Sequence, residues 1–393
     1  MTIQAAPRVR TPYWDNARFI AVVLVIVGHA TLKLIADSDV AYSVYLFVYL
    51  FQIPAFVMIS GYFAKATPPG VPQLKRLFTD ILVPYLIFET IWRGIHFAIS
   101  GRVWLDFTSP SWTLWFLLAL CIWRVALPYL VILRYPLLIS IVLSVAAGYL
   151  STLDHTLSLS RAVALLPFFV LGWKVKQWHL ADKWLELQTA VVWRWRAAAI
   201  VLFGMIALVT AAGIGTWRQL LLRRFLLYDG SYASIGYPQW WAGALRLGFV
   251  GVGVPACFAF LALMPRRRTW FSAMGTRTMY IYLLHALILY PIRNSGLLDG
   301  ARPLWVLGVV IASSFGMAVV LGLPVAQRIF RPIVEPSIGW MFNRTPRSAA
   351  DSTSQDAPPS ESIPQPAPAE EKSAAVVGHP QRTRSATILE WHH

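Results

Sequence analysis

The sequence predicts an all-α integral membrane protein, a bundle of about ten transmembrane helices with a disordered C-terminal tail. Three observations carry that expectation. Only 13% of the 393 residues are charged and 57% are hydrophobic, whereas soluble domains average roughly 25% charged residues. The apolar residues gather in repeated runs of about 15 to 23, the length that crosses a bilayer as a helix. The basic residues fall between those runs in a biased pattern, which orients the helices.

Taken in order, the runs cover 17–36, 42–63, 77–99, 112–130, 136–150, 162–176, 197–214, 240–263, 278–292 and 304–323. Arg18 and His29 interrupt the first run and no small-residue cleavage pattern follows it, so it reads as a retained helix and not a signal peptide. The fifth and sixth runs are short, and charge parity justifies them. With the N-terminus in the cytoplasm, eighteen Lys and Arg residues between Arg8 and Arg331 fall on the inner side. Only eight (Lys33, Arg102, Arg161, Arg218, Arg223, Arg224, Arg293 and Arg302) fall outside. Merging the two short runs would reverse this bias, so ten spans with both termini cytoplasmic is the economical topology. These spans make residues 1–342 a single multi-pass membrane domain. From Asn343 the chain turns to Pro, Ser, Ala and Glu, as in RTPRSAADSTSQDAPPSESIPQPAPAEEK, with few large apolar groups. Such a segment buries too little surface to offset its ordering entropy, so 343–393 is expected to be a disordered cytoplasmic tail.

The net charge of +16 does not point to nucleic acid, because the basic residues sit in short loops where they orient helices and meet anionic lipid headgroups. Cys121 and Cys257 lie inside apolar runs and read as small core residues, neither a disulfide nor a metal pair. No metal site and no Gly-rich phosphate loop is expected.

Polar groups within the apolar runs are the candidates for chemistry. Arg18 and His29 are eleven residues apart, about 20° beyond three full helical turns, so they share a face about 16 Å apart along the axis. Asp15, three residues before Arg18, falls near the same stripe. An imidazole inside the hydrocarbon is either bonded to a neighbouring carbonyl or functional. In the third run, Glu89, Arg93 and His96 share a face, with Glu89 about 18 Å from the cytoplasmic start by helix rise. Glu89 and Arg93 either neutralise each other or serve a polar pocket. Trp112 and Trp115 read as interfacial belt aromatics or as a sugar-stacking platform. Ser60 lacks a Gly-x-Ser-x-Gly setting, so its hydroxyl is expected to bond its own helix, and Gly28 and Gly61 are expected to let helices approach. Arg218, Arg223 and Arg224 gather on the disfavoured side, fitting either a partly inserted loop or an anionic acceptor.

YWDNARFIAVVLVIVGH, residues 13–29, resembles the first-helix signature of the membrane acyltransferase-3 family, in particular its fucose 4-O-acetylase-like branch. That signature is a basic residue, ten intervening residues and a His, matched here by Arg18 and His29. Further segments resemble the family in order: FQIPAFVMISGYFAK (51–65), RLFTDILVPYLIFE (76–89), WTLWFLLAL (112–120), RAVALLPFFVLGW (161–173) and TMYIYLLHALI (278–288). The likeness spans about residues 10–325 and is weakest over 178–275.

The resemblance implies a membrane O-acyltransferase that moves an acetyl group from cytoplasmic acetyl-coenzyme A to a hydroxyl of a sugar or glycan precursor in the cell envelope, within a bacterial inner membrane. Acyl transfer to an alcohol needs a base for the hydroxyl proton, donors for the oxyanion and a held thioester. On this reading His29 either acts as the base or briefly carries the acyl group itself, with Asp15 or Glu89 orienting its ring. Arg18, Lys65 and Arg76 are expected to contact the coenzyme. Trp112, Trp115, Arg93, Arg161 and His285 are expected on the acceptor side. The remaining partners are membrane lipids. The rival from another class is a proton-coupled transporter or flippase, which an intramembrane His/Glu pair would suit. Against it, paired interrupted helices at corresponding positions of two halves are not seen in the sequence.

Overall fold

Pro12, pre-set for a first helical turn, opens α1 (Pro12–Ala30). The computed structural model describes residues 11–102, 106–153 and 156–342; the tail expected from Asn343 lies outside them. Among the described residues the regular structure is entirely helical. After α1 come α2 (Asp39–Tyr62), α3 (Val71–Leu77), α4 (Val83–Ser100), α5 (Trp115–Leu130), α6 (Pro136–Ala147), α7 (Leu159–Gln177) and α8 (Leu180–Glu186). The second half holds α9 (Thr189–Ala212), α10 (Ile214–Gln219), α11 (Arg223–Leu227), α12 (Ala242–Leu263), α13 (Ser272–Gly275), α14 (Thr278–Asn294), α15 (Leu304–Leu321) and α16 (Pro324–Val334). The described residues from Thr11 to Ile338 form one compact unit, and the turn at Gly339–Met341 belongs to a second.

Each of the ten expected spans coincides with a helix, but only six segments are long and apolar enough to cross a bilayer: Pro12–Lys33, α2, Thr156–Gln177, α9, α12 and α15. The other four fall short for readable reasons. Helix α4 carries Glu89, Arg93 and His96, and it joins α3 through a π-helical turn at Phe78–Leu82, just ahead of Pro84. Proline offers no N–H to the preceding turn, and a widened turn accommodates that loss. Helices α5, α6 and α14 have 16, 12 and 17 residues. Helix α1 also ends earlier than the hydropathy run suggests. Thr31 donates its hydroxyl back to Val27 O at 2.9 Å and the chain tightens into a 3-10 turn, so His29 occupies the last α-helical turn.

The core is set by close helix contacts. A methyl group on Gly61 of α2 would sit 1.9 Å from Phe169 O of α7, and one on Gly172 of α7 would sit 1.9 Å from Met58 O of α2. The two helices thus approach backbone to backbone, each glycine receiving the other helix. Helix α1 is buried among α2, α13, α14 and α15. Asn16 ties the start of α1 to the α12–α13 connection, donating to Pro265 O and Arg267 O and accepting from Ser272 Oγ at 2.6 Å. Helix α9, by contrast, is largely exposed along its apolar length. The outer arginines are mostly accounted for within the fold: Arg218 pairs with Asp39 at 2.8 Å and Arg224 donates to Ile235 O.

Candidate active site

Helix α1 brings His29 to a small interior cavity of about 20 Å³, shared with Ile53 and Phe56 of α2, Thr113, Trp115 and Phe116, and Tyr282 of α14. Among the described residues no hydrogen bond or ion pair holds either imidazole nitrogen. Nδ1 is fully enclosed and without a partner, which leaves Nε2 as the nitrogen available to a reactant. The ring is held by other rings. His285 of α14 stacks on it with centroids 5.6 Å apart, and Trp112 meets it edge-on at 5.5 Å. His285 is fully buried and its Nδ1 lies 3.2 Å from Ile281 O. A carbonyl only accepts, so Nδ1 carries the proton and Nε2 of the neutral ring, unpartnered, is an acceptor.

The expected orienting carboxylates lie elsewhere. Asp15 is buried and pairs with Arg18 at 3.3 Å, about four turns from His29 on the same helix. Glu89, also buried, accepts from Ser111 N–H at 2.8 Å and Ser111 Oγ at 2.7 Å, and pairs with Arg93 at 2.7 Å. None of its hydrogen bonds goes to His29.

Glu89 belongs to a stripe that α4 presents every fourth residue. Tyr85 donates to Phe107 O at 2.6 Å, and Arg93 donates to Ser109 O at 3.0 Å and to Asp106 O. These three residues pin the segment 106–114. Within it Trp112 adopts φ +37°, a conformation a bulky residue takes only under constraint. Tyr282 then donates to Thr113 O. Thr113 Oγ1 and both polar atoms of Gln52 are buried without partners. Trp112 and Trp115 therefore turn inward beside His29 and form no lipid-facing belt. Arg293 lies over Trp112 at 5.5 Å, and Arg161, paired with Asp229 at 2.8 Å, lies over Trp115 at 4.9 Å.

A second cleft of about 170 Å³ is lined by Arg18, Ser60, Phe63, Leu120, Arg124 and Thr278, among others. Phe56, Phe116 and Tyr282 line both spaces. Their rings, with Phe116 5.1 Å from Phe56 and 5.8 Å from Tyr282, form the partition between cleft and cavity. Arg18 also packs its guanidinium 4.0 Å from Phe63. Ser60 donates to Phe56 O at 2.9 Å, as expected of a hydroxyl bonding its own helix. Lys65 and Arg76 are exposed and lie outside the lining of the cleft.

The structure thus sets His29 and Trp115 on one cavity, with His285 and Trp112 packed against the His29 ring and Arg161 against Trp115. It places Arg18 one partition away, and it uses Glu89 and Arg93 as anchors of the loop between. Sequence reasoning missed Gln52, Thr113, Arg124 and Tyr282. Gln52 and Arg124 were findable, being polar groups inside apolar runs. Thr113 and Tyr282 carried no such signal, since hydroxyls are common in helices.

Membrane-length helices around enclosed imidazoles define the class, a multi-pass membrane protein with an interior polar site. A family model described as an acyltransferase domain matches residues 11–323. The chain belongs to the acyltransferase-3 family and is a membrane acyltransferase, a membership that does not favour the transporter reading. No curated protein and no solved structure matches it.

Proposed function

We propose that this protein is an O-acetyltransferase of the fucose 4-O-acetylase-like branch. It takes an acetyl group from acetyl-coenzyme A on the cytoplasmic side and delivers it to a hydroxyl of a sugar or glycan precursor. The reading rests on ten spans, with both termini in the cytoplasm of a bacterial cell and the domain in its inner membrane. One observation supports it above all: an imidazole with an open Nε2 borders a cavity one aromatic partition away from a cleft lined by guanidiniums.

In the proposed reaction the acceptor hydroxyl oxygen attacks the thioester carbonyl while His29 Nε2 takes its proton. The C–O bond forms, the C–S bond breaks, and the imidazolium returns the proton to the departing thiolate. Thr113 Oγ1, which has no partner among the described residues, is the donor the cavity offers to the oxyanion. His285, with its tautomer fixed by Ile281 O, stacks on the His29 ring and keeps Nε2 open as an acceptor. Trp112 and Trp115 supply faces for a sugar ring, with Arg161 and Arg293 behind them.

The test is acyl transfer by purified protein given labelled acetyl-coenzyme A and candidate glycan acceptors. His29→Ala, inserted at the normal level, is expected to leave thioester consumption at background. Undiminished transfer by that variant would refute the assignment.

A further inference from the structure

Arg124 sits in the middle of α5, within the apolar run WFLLALCIWRVALPYL. Among the described residues it makes no hydrogen bond and no ion pair. Asp80 acts on it electrostatically without contacting it, and that carboxylate already accepts from Thr79 Oγ1 at 2.6 Å. Arg124 is exposed, so its guanidinium is open to solvent and has no partner in contact among the described residues, which leaves its N–H donors available to an anionic ligand. Its side chain lines the same cleft as Arg18. Asp15 offsets the charge of Arg18 at 3.3 Å, whereas nothing in contact offsets that of Arg124. The cleft is therefore cationic, and Arg124 carries the surplus.

The register of two helices fixes where that surplus lies. His29 of α1 and Trp115 of α5 both line the small cavity. Arg18 is eleven residues from His29 and Arg124 nine from Trp115, so along their helix axes the Cα atoms of the two arginines stand about 16 and 14 Å from those of His29 and Trp115. An acyl pantetheine arm runs about thirteen bonds from its sulfur to its first phosphorus, and at about 1.2 Å of reach per bond it spans roughly 15 Å. With the thioester at His29, that phosphate comes level with both arginines.

We propose that Arg124 is a donor-binding residue that, with Arg18, clamps the diphosphate of a phosphopantetheine-type acyl thioester. This inference rests on the acyl-thioester reading above and adds to it the residue that recognises phosphate. Forked N–H donors suit phosphate oxygens, and Phe56, Phe116 and Tyr282 line both cleft and cavity, so an arm reaching from the arginines to His29 has to part these rings.

The discriminating experiment compares acetyl-coenzyme A, acetyl-4′-phosphopantetheine and phosphate-free acetyl-pantetheine as donors to the purified full-length protein. Wild type is expected to show a higher kcat/KM for both phosphate-bearing donors than for the phosphate-free one. In Arg124→Gln the ratio of kcat/KM for acetyl-coenzyme A over acetyl-pantetheine should fall roughly tenfold, as loss of a charge-assisted contact requires. Arg124→Lys should restore part of it. An unchanged ratio in Arg124→Gln overturns the assignment, as does an equal loss on all three donors, which marks a structural defect. Because both results require measurable transfer by wild type, they are separable from failure of the acyltransferase reading, in which wild type transfers from no donor.

Discussion

Glu89→Gln asks whether His29 depends on the loop that α4 holds beside it. The glutamate carries three interactions in a fully buried setting, two from Ser111 and one from Arg93. Glutamine has one acceptor oxygen. If that oxygen faces Ser111 N–H, its amide N–H₂ opposes the Arg93 guanidinium; if it faces Arg93, the amide opposes Ser111 N–H. Either way a buried donor loses its acceptor, and Arg93 loses the charge partner it has among the described residues. Hydrogen bonds to charged groups contribute about 1.5–3 kcal/mol each, and removing one member of a buried pair costs about 3–5 kcal/mol. Tyr85 and Arg93 still grip Phe107 O and Ser109 O, so the loop loosens locally while the bundle stays assembled. If about 3 kcal/mol of that loss appears in the transition state, turnover falls roughly 100-fold. Acetyl-coenzyme A consumption measures the rate, and hydrogen exchange at the Ser111 amide reads the loop. The expectation is joint loss of turnover and of amide protection. Lost turnover with the Ser111 amide still protected would refute the positioning argument and return Glu89 to direct chemistry. Retained turnover with the amide unprotected would refute the dependence of His29 on the loop.

Other expectations follow from the same geometry. Gly172→Ala places a methyl group against Met58 O, and because backbone cannot yield, thermal unfolding in detergent should show a loss of about 1–3 kcal/mol. Arg18→Gln should raise KM for acetyl-coenzyme A roughly 10- to 100-fold through one lost charge-assisted contact, with a smaller change in kcat in steady-state assays. Hydrogen bonds from Thr108, and next from Ser109, hold the exposed Asp106 carboxyl well below the usual carboxylate range. A depressed folded value stabilises above the unfolded pKa of about 3.9 and is lost only as pH falls through the lower folded value. Exchange protection of Thr108 should therefore survive acidification from pH 7 to pH 5 and be lost in Asp106→Ala, which removes the acceptor oxygen, at pH 7.

The helical membrane architecture was legible in the sequence because apolar run length is a local property, and each run found its helix. The pairing of Arg18 with His29 on one face was legible too, since both sit on one helix and the period fixes their alignment. So was the packing role of Gly61. Which helices reach full membrane length was less legible, because Thr31, Pro84 and short turns redraw boundaries that hydropathy averages over.

The partners of His29 were decided only by tertiary structure. The sequence offered Asp15 and Glu89 on grounds of charge and depth. The fold gave Asp15 to Arg18, gave Glu89 to Ser111, and set His285 and Trp112 against the imidazole instead. Gln52, Thr113 and Tyr282 joined the site from three further segments, and Arg124 joined the cleft of Arg18 from a helix about a hundred residues away. Periodicity reports which way a side chain faces within its own helix. Which neighbour it meets is set by the rotation and depth at which helices pack, and those are fixed by contacts such as the paired glycines of α2 and α7, which no single helix contains.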